Sequence, residues 1–96
     1  MNFADNNLNG SLPTEMGFLS ALTSLDMSNN DLSSLIVTEM GRLSRLQELK
    51  LNNNDFGGGI PTEIYKLSNL QSLTLQDNEE LKGDLDPLCN NVDLAT

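Results

Sequence analysis

Residues 43–66, LSRLQELKLNNNDFGGGIPTEIYK, reappear on both sides of themselves at a spacing of 24 residues. Residues 19–42 read LSALTSLDMSNNDLSSLIVTEMGR and residues 67–90 read LSNLQSLTLQDNEELKGDLDPLCN. A partial copy, MNFADNNLNGSLPTEMGF, occupies residues 1–18. Self-similarity at a period of this length predicts supersecondary units that stack into an array, each burying an apolar face on its neighbours.

Within the unit, Leu49 and Leu51 alternate with polar residues, the period-2 pattern of a strand with one buried face. Leu43 and Leu46 approach that strand from the interior. Asn54 stands where the chain must turn away, and its amide is suited to bonding otherwise orphaned backbone groups. The same requirement recurs at Asn6, Asn30 and Asn78. Phe56 fills the interior at the position of Leu8, Leu32 and Leu81, and Gly57-Gly58-Gly59 lets the backbone bend. Ile60 precedes Pro61, which favours a second extended segment there. Thr62-Glu63-Ile64 should make a brief helical or 3₁₀ turn on the outer side.

The pattern LxxLxLxxNxL followed by GxIPxxI resembles the plant-type, extracellular, 24-residue leucine-rich repeat, the family of receptor-like kinase ectodomains and polygalacturonase-inhibitor proteins. The resemblance covers residues 1–88. It implies an α/β repeat fold: a solenoid with a parallel concave sheet, one strand per repeat, and short 3₁₀ or helical turns outside. About four repeats, the first partial, fill residues 1–88, and residues 89–96 read as a polar tail or the start of a cap. The family implies an extracellular or membrane-anchored ectodomain, although the residues themselves leave a cytoplasmic setting open.

Five Lys and Arg against 14 Asp and Glu give a net charge of −9, which disfavours nucleic acid and anionic membranes as partners. No apolar run is long enough to span a bilayer, so direct membrane insertion by this segment is not expected. The start, MNFADNN, lacks the basic and apolar regions of a secretory leader. Cys89 is the lone cysteine, a free thiol or half of a bridge completed elsewhere. The partial first copy begins inside a repeat without a cap, which suggests a fragment of a longer array carrying further repeats.

Individual copies depart from the pattern. Ser34 replaces a glycine and Val37 a proline in copy two, so the Leu35-Ile36-Val37 run should be extended with less certain turn geometry. Copy four has one extra residue at Asn78-Glu79-Glu80-Leu81 and carries Asp86 before Pro87, where a local bulge is expected.

No residue is assigned a catalytic role. The chain has no histidine, no phosphate-binding loop and no paired CxxC. Ser20, Ser44 and Ser68 hold fixed places in the repeat, as do Glu15, Glu39 and Glu63 on the outer turn. No cofactor and no metal are assigned. The row Asp5, Asn29, Asn53 and Asp77 could bridge a cation, but stacked amides explain it equally well. Asp26 beside Lys50 should make an exposed ion pair. Asn9-Gly10-Ser11 is a glycosylation sequon on a surface turn. Thirteen asparagines among 15 Ser and Thr in 96 residues would give about two by chance, so its occurrence alone carries no information.

The polar positions of the concave strands are left free by the scaffold, and binding information would be written there. They are Ser24, Asp26 and Ser28 from copy two, Glu48, Lys50 and Asn52 from copy three, and Ser72, Thr74 and Gln76 from copy four. The resemblance implies a protein or peptide ligand on this face. The competing expectation is a structural spacer within a longer array. Ice or cell-wall binding is less favoured, because only Thr23 and Thr74 would form a threonine grid and no aromatic lies on the face.

Overall fold

The computed structural model describes residues 1–78, 81–82 and 93–95. Its strands are β1 (Asn9–Gly10), β2 (Ser24–Asp26), β3 (Asp31–Ser34), β4 (Glu48–Lys50) and β5 (Asp55–Phe56), followed by β6 (Gly58–Gly59), β7 (Ser72–Thr74), β8 (Leu81–Lys82) and β9 (Asp93–Ala95). The concave sheet runs β2-β4-β7-β9, all parallel. Leu25, Leu49 and Leu73 lie opposite one another, so the 24-residue period places one leucine per strand inside the coil. Asn2 bridges to Asp26, which puts Met1 and Phe3 at the strand positions of Leu49 and Leu51.

Among the described residues the outer side carries three five-residue 3₁₀ turns, Thr14–Phe18, Thr38–Arg42 and Thr62–Lys66. Each is entered from an extended residue. Val37 at φ −74° and ψ 142° matches Pro13 at −75° and 140°, so loss of the proline leaves this entry unchanged. The turns stack closely because Gly17 and Gly41 have no side chain. A Cβ on Gly41 would sit 2.7 Å from the backbone oxygen of Glu63.

The flank holds a second sheet, β1-β3-β5, and the pair β6-β8. Val37 and Pro61 are extended, as the sequence suggests for Leu35–Val37 and Ile60-Pro61, but the paired strands β3 and β5 lie earlier, directly after the buried Asn30 and Asn54. Their partners are 22 residues apart, as in Asn9 opposite Asp31, against 24 on the concave sheet. A stagger of two preserves which face each side chain takes. Gly58 opposite Leu81 is 23 apart, one more than in the other flank pairs, as the extra residue of copy four requires. Ser34 adopts φ 69°, the left-handed geometry of Gly10 at 84° and Gly58 at 71°. Copy two thus keeps a glycine's backbone without a glycine.

Leucines and methionines fill the interior, from Leu25 and Met40 to Leu73, with Phe56 the largest fully buried side chain. Leu43 and Leu46 are fully buried, whereas Leu19 and Leu22, their counterparts one coil earlier, are only partly covered. At about 25 cal/mol per Å² of apolar surface, this difference concentrates stability in the middle coils. The expected bulge at Glu79-Glu80, the Asp86-Pro87 departure and Cys89 lie outside the described residues. Asp93–Ala95, within the segment read as tail or cap, forms a strand parallel to β7. Leu94 there is in register with Leu73, and in the sequence Leu88 and Leu94 repeat the spacing of Leu67 and Leu73.

Candidate functional site

The register of the concave sheet sets its residues in rows. One row is Ser24, Glu48, Ser72 and Asp93; the next is Asn2, Asp26, Lys50, Thr74 and Ala95. The sequence pattern already places Asn2 in line with Asp26, Lys50 and Thr74, whereas Asp93 and Ala95 were missed. In the fifth copy, Asn91 and Thr96 stand where Leu70 and Leu75 stand in the fourth, so only half of the leucine signal survives.

Internal bonding decides which groups remain available. The Ser24 hydroxyl donates to Glu48 Oε1 at 3.2 Å. Asp26 Oδ1 accepts from the Ser28 amide at 3.0 Å and from the Ser28 hydroxyl at 2.6 Å. Ser28, counted among the face residues, is therefore buried beneath Asp26 rather than presented. The anticipated Asp26–Lys50 ion pair is absent among the described residues, since the turn after β2 offers the carboxylate two closer donors. Lys50, Asn52, Ser72 and Thr74 are half-buried, and their side chains make no hydrogen bond or ion pair among the described residues. Gln76 is also half-buried, with a buried Oε1 that has no partner.

The asparagines behind the sheet bind one coil to the next. Asn54 Nδ2 donates to the carbonyls of Met27, Leu51 and Asn52, while its Oδ1 accepts the Leu32 amide at 3.1 Å. Asn78 donates to Leu51 and Leu75 and accepts from Phe56, and Asn30 accepts from the Asn6 and Leu8 amides. Asn6 differs from the other three. It is exposed, and its Nδ2 donates to the Ala4 carbonyl, its one side-chain bond among the described residues.

The row Asp5, Asn29, Asn53 and Asp77 has a backbone cause. All four have φ between 56° and 62°, a left-handed conformation that Asn and Asp tolerate better than other side-chain-bearing residues. Asn53 Nδ2 also donates to Asn29 Oδ1 at 2.7 Å, the stacked-amide arrangement. Among the described residues, no group of three or more His, Cys, Asp or Glu is placed to hold a metal ion. No helix among them is long and apolar enough to cross a membrane.

The family model for the Leucine Rich Repeat matches residues 21–43 and 45–67. The chain belongs to the leucine-rich repeat family. Its solved neighbours place this array with plant receptor ectodomains of the extracellular class. It is similar to a plant peptide hormone receptor, RGFR1 in complex with RGF2, at 37% identity and a TM-score of 0.91 over 99% of this chain and 16% of that one. The BIR2 ectodomain from Arabidopsis thaliana gives 35% identity and a TM-score of 0.77, covering 85% of this chain and 42% of that one. The Arabidopsis receptor kinase HAESA ectodomain, in complex with an extended IDA peptide hormone, gives 28% identity and 0.83, covering 100% and 17%. The leucine-rich repeat array thus spans under one fifth of the two hormone-bound receptors. No curated protein matches it.

Proposed function

We propose that this array is a non-enzymatic recognition module that binds an extended peptide across its concave sheet, as part of an extracellular receptor-like or secreted protein. The observation that carries the reading is the unengaged set Lys50, Asn52, Ser72 and Thr74, presented side by side on adjacent parallel strands. The complexes of RGFR1 and HAESA with peptide hormones support a peptide as the ligand class.

Size argues for a peptide over a globular partner. Five strand positions spaced by ~4.8 Å give a face about 19 Å wide, and five residues of ~3.3 Å make it about 16 Å long. That is about 300 Å² in projection, against ~800 Å² from each partner in a standard protein interface. A short extended segment fits this footprint; a folded domain would need neighbouring coils. The same small area supports the spacer reading, in which the ligand sits elsewhere on a longer array.

Charge refines the ligand. One oxygen each of Asp26 and Glu48 is already engaged by serine, whereas the Lys50 ammonium has no partner among the described residues. The serine donors leave both carboxylates charged, so Asp26 and Glu48 outnumber Lys50, and Lys50 is the group among them that a peptide carboxylate could pair with. Displayed random peptides selected on the immobilised chain test this. Selected binders should carry one carboxylate in register with Lys50 and lose at least tenfold in affinity, about 1.4 kcal/mol, on Lys50→Glu. They should be unaffected by Lys66→Glu on the outer side. Failure to select any peptide above background supports the spacer, and equal sensitivity to both substitutions refutes the concave site.

A further inference from the structure

Asn9-Gly10-Ser11 is absorbed by neither the scaffold nor the concave face. Asn9 lies in β1, the terminal strand of the flank sheet, and is exposed, as are Gly10 and Ser11. Its backbone pairs with Asp31, but its carboxamide makes no hydrogen bond among the described residues. That distinguishes it from Asn30, Asn54 and Asn78, whose amides are consumed in the interior. Gly10 has φ 84°, and a Cβ built there would meet nothing within 4 Å, so the space around the middle of the sequon is open. At the equivalent places of the next two coils stand Ser33-Ser34-Leu35 and Gly57-Gly58-Gly59, neither of which offers an acceptor.

We propose that Asn9 is an N-glycosylation site whose glycan projects from the flank of the first coil and leaves the concave sheet uncovered. The donor is an oligosaccharide linked to a lipid diphosphate. Asn9 Nδ2 attacks C1 of the sugar, a C–N bond forms, and the bond from C1 to the diphosphate oxygen breaks. The electron pair leaves on the diphosphate and one Nδ2 proton is released, with no change of oxidation state. The Ser11 hydroxyl completes the acceptor sequence that the transferase reads. A two-residue exposed strand costs little to open for such an enzyme, since segments with few buried contacts open at the low end of the stability range.

The proposal rests on the extracellular part of the reading above, but acceptor competence can be measured apart from it. The full 96-residue chain is translated with a cleavable secretory leader in the presence of microsomes and treated with peptide N-glycosidase. A single glycosidase-sensitive mass increment is expected for the wild type and for Ser11→Thr, and none for Asn9→Gln or Ser11→Ala. An unmodified wild type, in a reaction that glycosylates a control acceptor, overturns the proposal. The modified and enzymatically trimmed chains should melt at the same temperature. A melting transition lost on glycosylation would contradict placement on the flank.

Discussion

Replacing Asn54 with alanine isolates the interaction that fastens copy two to copy three. Four hydrogen bonds disappear, but their consequences are unequal. The Met27 carbonyl keeps the Asn30 amide at 3.1 Å, the Leu51 carbonyl keeps Asn78 at 2.9 Å, and the Asn52 carbonyl keeps the Asn29 N–H at 3.0 Å. Only the Leu32 N–H, on a residue that is 3% exposed, is left with no partner. One orphaned buried donor costs about 1–3 kcal/mol. At about 4–8 °C per kcal/mol for a domain of this size, a loss near 2 kcal/mol lowers the midpoint by roughly 8–16 °C. Thermal unfolding followed by far-ultraviolet circular dichroism measures it, and hydrogen exchange should show the Leu32 amide losing protection ahead of Leu49. The control is Asn53→Gly, which preserves the left-handed φ of 56° and gives up only an exposed amide contact. Alanine at 53 is a poor control, despite its outward position, because it adds backbone strain of about 1 kcal/mol. A wild-type midpoint for Asn54→Ala, or equal losses for Asn54→Ala and Asn53→Gly, would refute the reasoning.

Ser34→Gly should stabilise the chain by up to ~1 kcal/mol, seen as a rise in the melting midpoint, because it relieves a left-handed φ of 69° with no side-chain bond to lose. Gly41→Ala should cost about 1–3 kcal/mol in denaturant unfolding, since the new methyl meets the Glu63 backbone oxygen at 2.7 Å. Asn54→Asp should be more costly than Asn54→Ala above neutral pH, as its carboxylate would face the Met27 and Leu51 carbonyls. Burial among carbonyls raises that carboxyl above its unfolded value of about 3.9, so the charge penalty is absent below that value, grows as pH rises to the folded pKa and is then constant. Chemical denaturation across pH should therefore show the variant recovering in acid; a pH-independent deficit would contradict it.

The concave strands and the outer turns were legible because each rests on the 24-residue period. That period alone puts Leu25, Leu49 and Leu73 in one ladder. The interior asparagines were legible because their spacing from the strand leucines is fixed. The flank sheet was not, since strands such as Asp55–Phe56 and Gly58–Gly59 have no alternation to read, and their pairing depends on a stagger between coils. In the row of Asn53 the amide stack was legible in the residue types, but the left-handed backbone that also selects them was not. Ser28 shows the limit at the candidate site. Its position in the repeat marks it as presented, while a two-residue contact with Asp26 takes it inside.

The central claim is that the concave sheet, rather than the outer turns, meets the ligand. Amide chemical-shift mapping with a selected peptide tests this most directly, because it detects weak binding and resolves the two faces. The account predicts shifts concentrated at Ser24, Asp26, Glu48, Lys50, Ser72 and Thr74. Shifts confined to Thr38–Arg42 and Thr62–Lys66, with the concave strands unmoved, would contradict it.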